Sequence, residues 1–309
     1  MHPVRLRDFI KDTNGWYFAV AAYDNTHTVG CLLRYIPDPA GDRVDPSGTR
    51  YRKVGFDEAY EIIATHHPDW AGLVHRVPYH HICSILKPDE KIETIAAHHP
   101  KVARLFKALH LPPCSYGVTG SLLCGLGDTN SDIDGVVYGP AFRYAQKQLI
   151  RAIQDGSIEE LNEELWKTVY AKRNPETSYE EFLLHEKRKL NRGQIDGTYF
   201  DLLYTRAYHE LPGFSMEKGK ILGRERIEAT VTDDQFVFDS PACYPIEHPT
   251  ISRILSFTHT YTGQAFVGEL IEAQGVVEQH GDEQWLVVGT TREAKGEFIR
   301  SISLLEQEG

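Results

Sequence analysis

The chain has 309 residues, of which 41% are hydrophobic and 25% charged, and its formal net charge at pH 7 is −11. This composition is typical of a globular protein, and the length allows two or three domains with their own cores. The longest apolar runs, such as residues 16–22, are too short to cross a bilayer, and the N-terminus lacks the layout of a signal peptide. We therefore expect a cytoplasmic protein with no membrane partner. An acidic chain needs a local basic groove if it is to hold nucleic acid through its phosphates.

The cysteines further limit the class of protein. There are five, they are scattered, and none belongs to a CxxC pair. This pattern argues against a disulfide framework and against a zinc ribbon. We expect reduced and mostly buried thiols.

The sequence divides into four regions, and the first two precede the central motifs. Residues 1–56 predict a β-rich part, because short apolar segments at 16–20 and 29–33 flank a run of turn residues. Residues 57–110 predict a helical segment, in which the apolar residues that follow Phe56 share one helical face and Pro88 begins a second helix.

The last two regions complete the predicted architecture. Residues 111–210 alternate strand and helix patterns and predict a layered domain with a sheet and flanking helices. Residues 211–309 predict a small barrel or sandwich, with Gly281-Asp282 as a hairpin turn. The strand candidates of this last region are 227–231, 235–238, 265–277 and 285–288. The predicted class is therefore α/β (α+β), with an N-terminal β/helical part and a small C-terminal β domain.

Gly120 and Ser121 follow a strand predicted over 115–119 and begin a short helix predicted over 121–125. A glycine lets a ligand approach the backbone closely, and free N–H groups at the start of a helix favour phosphate. The Ser121 hydroxyl adds a further donor. We expect this turn to bind phosphate, and a plain serine N-cap is the structural alternative.

Asp132 and Asp134 are separated by Ile133 in a strand predicted over 131–137. Side chains at i and i+2 of a strand lie on the same face, so the two carboxylates point together. Two negative charges that close repel each other unless a cation lies between them. Carboxylate and phosphate oxygens are the ligands that magnesium prefers.

Asp201 lies in an otherwise apolar strand predicted over 198–204. A carboxylate is costly to bury alone, so it needs a partner. A metal shared with Asp132 and Asp134 would serve, and an ion pair with an arginine such as Arg206 is the alternative.

Together these residues resemble the signature of the polymerase-β-type nucleotidyltransferase superfamily. The matching residues are Gly120-Ser121, Gly125, Ser131-Asp132-Ile133-Asp134-Gly135 and Phe200-Asp201-Leu202. The resemblance covers residues 111–210 and implies a mixed sheet flanked by helices. It also implies two Mg²⁺ ions, or Mn²⁺ in their place, and transfer of a nucleotidyl group from a nucleoside triphosphate to a hydroxyl with release of pyrophosphate.

The resemblance also implies roles for single residues. Asp132 and Asp134 would bind both metals, and Asp201 would bind the metal that activates the acceptor. Gly120 and Ser121 would hold the triphosphate. The gap between Asp134 and Asp201 is longer than in the minimal members of the superfamily, and the helices within it could shape the acceptor site.

Three further residues complete the predicted nucleotide-binding set. Ser131 begins the acidic motif, and Lys187 and Arg188 lie near the end of a helix predicted over 178–191, from which they could reach phosphates. Positive charge at the end of a helix also simply complements the helix dipole, which is the structural alternative for Lys187 and Arg188.

The expected function is thus magnesium-dependent nucleotidyl transfer, and the acceptor stays open. The end of an RNA or DNA is one class, and a protein side chain or a small molecule is another, to which the acidic charge is no obstacle. The alternative to an enzyme is a non-catalytic module that binds a nucleotide and acts through its flanking domains.

Overall fold

The computed structural model describes residues 3–129, 131–211, 218–290 and 295–308. Contacts within the chain define two compact units, Met1–Glu159 with Asn191–Met216 and Glu160–Leu190 with Glu217–Gly309. The described residues form eight α-helices and three sheets, which confirms the predicted class with mixed α and β content. The boundaries of the four predicted regions stay predictions. None of the described helices combines the length and apolar character that a membrane crossing requires.

The first unit begins with a seven-stranded antiparallel sheet. Its strands are β1 (Phe9–Asp12), β2 (Tyr17–Val20), β3 (Thr28–Pro37), β4 (Arg43–Val44), β5 (Arg50–Lys53), β6 (His75–Pro78) and β7 (Ile82–Leu86). They follow the order β4-β5-β3-β2-β1-β7, and β6 pairs with β3. One face of this sheet buries Ile10, Phe18 and Leu33 against Ile63 of helix α1 (Phe56–His66).

Strands β6 and β7 lie within the segment that the sequence predicts to be helical. Val77 of β6 is fully buried and pairs with Val29, while β7 pairs with β1. These segments are too short for their own pattern to decide their structure, and pairing with the sheet decides it instead. The helical prediction holds for α1 and for the helices α2 (Pro88–His98) and α3 (Pro100–Leu109).

A second, mixed sheet of four strands lies in the same unit. Its order is β10-β11-β9-β8, and only β9 and β11 run parallel. Its strands are β8 (Tyr116–Val118), β9 (Ile133–Tyr138), β10 (Arg192–Ile195) and β11 (Thr198–Thr205). Helix α4 (Gly120–Leu123) connects β8 towards β9, and α5 (Ala141–Gln154) follows β9. The predicted strands at 115–119, 131–137 and 198–204 are therefore confirmed as β8, β9 and β11.

The second unit contains a β-barrel. Its strands are β12 (Lys220–Val231), β13 (Ala242–Glu247), β14 (Ile251–Ser256), β15 (Leu270–His280), β16 (Glu283–Val288) and β17 (Phe298–Ser301), and its helices are α6 (Glu163–Arg173), α7 (Tyr179–Arg188) and α8 (Ile302–Glu308). Pairing runs β12-β13-β14-β16-β15 and returns from β15 to β12, so five strands close on themselves, with β17 added beside β15. The predicted turn at Gly281-Asp282 connects β15 and β16.

One predicted strand of this unit is absent from the structure. Residues 235–238 form a turn in which the Phe236 carbonyl accepts hydrogen bonds from the amides of Asp239 (3.1 Å) and Cys243 (3.0 Å). The Asp233 carboxylate accepts a hydrogen bond from the Gln235 amide (2.7 Å) and so begins the turn. A local side-chain bond of this kind competes with strand formation.

Candidate functional site

The acidic motif lies at the start of β9. Asp132 is exposed immediately before the strand, Ile133 is buried, and Asp134 is half-buried within it. This alternation confirms that the two aspartates point away from the core while the isoleucine points into it.

The third acidic residue lies beside this motif. Asp201 of β11 is the Cα partner of Asp134 in the parallel pairing of β9 and β11. Neighbouring strands lie about 4.8 Å apart, and directly paired residues project from the same side of a sheet. The fold therefore brings together two predicted site residues that are far apart in the sequence. Asp132 lies two residues before Asp134, immediately ahead of β9.

Asp201 also contacts two consecutive residues at the start of the adjoining strand: Asn191, which precedes β10, and Arg192, its first residue. The Asn191 amide donates to Oδ1 of Asp201 (3.1 Å), and Nε of Arg192 lies 3.3 Å from Oδ2. The side chains of Asp201 and Arg192 are both largely buried. An ion pair with Arg206 is the expected alternative to a metal. The ion pair found at Asp201 is with Arg192, and the guanidinium of Arg206 lies over the ring of Tyr23.

The sequence contains a signal for the Arg192 contact. Asp196 and Gly197 both have positive φ, at 46° and 70°, as a tight two-residue hairpin turn requires. Pairing from Ile195 opposite Thr198 then places Arg192 opposite Asp201. The Asp-Gly pair alone therefore predicts this partner.

The turn that carries Gly120 lies against Asp134. The Thr119 amide donates to the Asp134 carbonyl (2.9 Å), and Gly120 has a φ of +71°. A Cβ atom on Gly120 would lie 2.5 Å from Oδ2 of Asp134, so any other residue here would force this carboxylate to move. Gly120 thus leaves space for an acidic side chain as well as exposing its own backbone.

Ser121 is the second residue of this turn and is half-buried. Its carbonyl accepts a hydrogen bond from the Leu126 amide (2.9 Å), while its hydroxyl makes no hydrogen bond to another described residue. Helix α4 has four residues, so its dipole is small and the expected contribution of a helix N-terminus to phosphate binding is correspondingly weak. The contribution of Ser121 would come from the free hydroxyl.

Ser131 takes part in a tight turn. Its hydroxyl accepts a hydrogen bond from the Asp128 amide (2.9 Å) and donates to Oδ1 of the same residue (3.2 Å). These bonds hold the loop before the acidic motif, and nucleotide binding by Ser131 stays a prediction.

Lys187 and Arg188 belong to the second unit, whereas the other predicted site residues belong to the first. Lys187 is exposed, and Arg188 forms a two-pronged ion pair with Glu269 at 2.7 and 2.8 Å. Burial alone would raise the pKa of Glu269, but hydrogen bonds from Arg188 and Ser301 lower it below its ordinary value. The ion pair gives Arg188 a structural role of its own, and nucleotide binding by Lys187 and Arg188 stays a prediction.

The three aspartates are the candidate ligands for magnesium. In the described ranges, no three His, Cys, Asp or Glu side chains are grouped closely enough to hold an ion as they stand. The donor chemistry nevertheless suits magnesium, because Asp134 and Asp201 are in register and Gly120 leaves space beside Asp134. Binding by Asp201 would require its carboxylate to exchange or share the contact with Arg192.

The cysteines bear out the expectation of free thiols. All five are unbonded, and Cys31, Cys124 and Cys243 are buried, whereas Cys83 and Cys114 are exposed.

Comparison with known proteins gives one relative. The chain is 38% identical over 335 aligned positions to the uncharacterized protein MJ1086 of Methanocaldococcus jannaschii, and the match covers 96% of this chain and 98% of that protein. The chain therefore belongs to the same family as this archaeal protein. No protein-family model and no solved structure matches the chain.

Proposed function

We propose that the protein is a magnesium-dependent nucleotidyltransferase. The observation that carries the proposal is the register of Asp134 and Asp201 on neighbouring parallel strands, with Asp132 two residues before Asp134. Three acidic residues on, or immediately before, two neighbouring central strands, beside a glycine turn that makes room for one of them, suit a site for a metal-bound triphosphate.

In the proposed reaction one bond to phosphorus forms and one breaks. The oxygen of an acceptor hydroxyl forms a bond to the α-phosphorus of a nucleoside triphosphate, and the bond from that phosphorus to the β-phosphate oxygen breaks. Pyrophosphate leaves with the bonding electron pair, and the hydroxyl proton is released to water. Asp132, Asp134 and Asp201 would hold Mg²⁺, or Mn²⁺ in its place, and Gly120 and Ser121 would contact the phosphates.

When bound, the metal ions would supply charge neutralisation at the phosphates and a more acidic acceptor hydroxyl. The work of the chain is to hold the carboxylates in place. Thr119 does so through its hydrogen bond to the Asp134 backbone (2.9 Å), and Asn191 does so through its bond to Asp201 (3.1 Å). The proposed setting is the cytoplasm, and the acceptor is an RNA or DNA end, a protein side chain or a small molecule.

Incubation with nucleoside triphosphates labelled at the α-phosphate, magnesium and a panel of RNA, DNA and protein acceptors tests the proposal. We expect label on one acceptor class, and we expect Asp132→Asn and Asp134→Asn to lower the transfer rate at least about a thousandfold. Asp69→Asn changes an exposed aspartate elsewhere in the same unit and serves as the control. Full activity of either site variant would overturn the assignment of these two aspartates.

A second candidate function is a non-catalytic nucleotide-binding module. The contact between Arg192 and Asp201 (3.3 Å) favours it, because a guanidinium already neutralises the third carboxylate. The same panel separates the two functions. Tight nucleotide binding without transfer to any acceptor class would support the second candidate.

A further inference from the structure

One face of the seven-stranded sheet carries tyrosines and two cations. Lys11 pairs with Tyr17, and Tyr17 pairs with Tyr35, so the three residues project from the same side of β1, β2 and β3. Tyr51 pairs with Pro37, two residues beyond Tyr35, and Arg43 pairs with Tyr51. All five side chains therefore share one side, which we call the tyrosine face (Lys11, Tyr17, Tyr35, Arg43 and Tyr51).

The tyrosine face lies against the turn that contains Gly120 and Ser121. Nη1 of Arg43 donates to the carbonyl of Leu126 (3.0 Å), and the Leu126 amide donates to the Ser121 carbonyl (2.9 Å). A Cβ atom on Gly125 would lie 3.2 Å from Cδ of Pro46, the residue that follows β4 by two positions. The turn is thus in contact with Asp134 at one end and with Arg43 at the other.

The two cations of this face have aromatic neighbours in place of carboxylates. The Lys11 ammonium lies 4.8 Å from the ring centroid of Tyr17 and 5.6 Å from that of Tyr51, and the Arg43 guanidinium lies 5.6 Å from that of Tyr35. Neither Lys11 nor Arg43 forms an ion pair with another described residue. Arg52, in contrast, lies on β5 one residue from Tyr51, and it pairs with Asp38 (3.2 Å) and Glu58 (2.6 Å).

The pKa values of Tyr35 and Lys11 reflect these contacts. Burial raises the pKa of Tyr35 to about 12, and the charges of Arg43 and Asp134 also act on its hydroxyl. Burial alone would lower the pKa of Lys11, but the hydroxyls of Tyr51 and Tyr17 outweigh it and raise the value. Lys11 therefore keeps its positive charge at neutral pH. Asp45 is the carboxylate on which the charge of Lys11 acts, but it forms no ion pair with Lys11. In a chain of net charge −11, two cations outside ion pairs, beside the turn proposed to bind phosphate, create a local positive potential that attracts anions.

We propose that Lys11 and Arg43, which are half-buried at the margin of the buried tyrosines, bind the β- and γ-phosphates of the nucleoside triphosphate. The inference rests on the proposed function, in which Asp132, Asp134 and Asp201 hold the metal and the turn at Gly120 and Ser121 contacts the phosphates. Carboxylates and metal on one side and cations on the other would hold the polyphosphate between them.

Titration calorimetry with magnesium and each of ATP, GTP, CTP, UTP and inorganic tripolyphosphate tests the proposal on the full chain. For the best-bound triphosphate and for tripolyphosphate, we expect Lys11→Met and Arg43→Met each to weaken binding about tenfold or more, the usual effect of losing a charge-assisted hydrogen bond. Both variants should bind the corresponding nucleoside monophosphate with an affinity within about twofold of that of the wild type. Arg52→Met removes one positive charge from the same sheet and should also stay within that range. Triphosphate affinity within twofold of the wild type in both site variants would overturn the proposal.

A second measurement needs no variant. Acetylation of the wild-type amines with a water-soluble reagent, read by peptide mass spectrometry, reports the access to Lys11 with and without the triphosphate. We expect the triphosphate to slow acetylation of Lys11 at least fivefold and to leave the exposed Lys91 unchanged. Equal acetylation rates at Lys11 with saturating triphosphate would overturn the proposal.

The failures of the two proposals are distinguishable. Weaker triphosphate binding in the variants without transfer to any acceptor would uphold the binding role of Lys11 and Arg43 and overturn nucleotidyl transfer. Transfer by the wild type, together with unchanged binding in the variants, would overturn only the binding role. A wild-type protein that binds no triphosphate would overturn both.

Discussion

Gly120 lies close to the carboxylate of Asp134, and a Cβ atom at this position would lie 2.5 Å from Oδ2. The glycine also has a φ of +71°, which L-residues with a side chain adopt only at a cost. The turn and the acidic strand are therefore fitted to each other at this point.

Gly120→Ala should lower activity far more than it lowers stability. The added methyl group has to displace the Asp134 carboxylate, and a displacement of about 1 Å costs roughly a hundredfold in rate. Gly156→Ala is a matched control, because Gly156 has a similar φ of +78° and no atom within 4 Å of the added Cβ. Both variants should lose about 1–2 kcal/mol of stability in urea denaturation from backbone strain. Equal transfer rates in the two variants would contradict the fit between Gly120 and Asp134.

The contact between Asp201 and Arg192 leads to a second prediction, about stability. Both side chains are largely buried, so Arg192→Gln leaves a carboxylate without its cation and should reduce the free energy of unfolding by about 3–5 kcal/mol. The double variant Arg192→Gln, Asp201→Asn should lose less than the sum of the single losses, by at least about 0.5 kcal/mol. Urea denaturation of the four proteins measures this coupling. Strict additivity would show that the two residues do not interact energetically.

Magnesium and Arg192 compete for the same carboxylate under the proposed function. Magnesium should therefore raise the melting temperature of Arg192→Gln more than that of the wild type, and it should not do so when Asp201→Asn is added. Thermal unfolding over a magnesium titration, with calcium as a parallel series, measures the effect. An equal rise in all three proteins would indicate that Asp201 does not bind the ion.

His185 predicts a pH dependence of stability. Burial lowers its pKa from 6.5 to about 4, and its Nε2 accepts a hydrogen bond from the Ser301 amide (3.0 Å), as only the neutral ring can. Between these two pKa values the unfolded chain binds a proton that the folded protein does not, so the contribution is present above pH 6.5 and is lost as pH falls towards 4. The full loss is on the order of 3 kcal/mol.

His185→Gln removes this titration while keeping a polar side chain of similar size. The free energy of unfolding should therefore fall less steeply with decreasing pH in the variant than in the wild type across the same window. Urea denaturation at several pH values gives both slopes. Identical slopes would mean that His185 does not titrate differently in the folded and unfolded states.

The role of Arg188 can be tested by comparing it with its ion-pair partner, Glu269. Its contact with Glu269 predicts that Arg188→Met and Glu269→Gln destabilise the second unit by similar amounts, about 1–3 kcal/mol each, and leave triphosphate affinity unchanged. Denaturation and nucleotide titration of both variants measure the two effects. A loss of triphosphate affinity in Arg188→Met alone would instead restore the predicted nucleotide-binding role.

Much of the first unit could be predicted from local patterns. The alternation of Asp132, Ile133 and Asp134 fixes which side chains point to the core, because the strand period is two. The isolated acidic position of Asp201 in an apolar strand indicates that it needs a partner. Both inferences depend on neighbours in the sequence and need no knowledge of the tertiary structure.

The identity of the partner depends on strand register. Arg206 lies near Asp201 in the sequence, but it follows the end of β11, whereas the turn at Asp196-Gly197 places Arg192 opposite Asp201. The sequence contained that turn, and counting outwards from it would have given the register. Arg188 differs, because its contact with Glu269 joins residues 81 positions apart, and no local pattern predicts such a contact.

Transfer of label from two forms of one triphosphate tests the central claim most directly. With the wild type, magnesium and the accepted acceptor, label at the α-phosphate should appear on the acceptor, while label at the γ-phosphate should appear only in pyrophosphate. Asp134→Asn should lose both signals. Transfer of the γ-label to the acceptor, or full α-label transfer by Asp134→Asn, would contradict nucleotidyl transfer at this site.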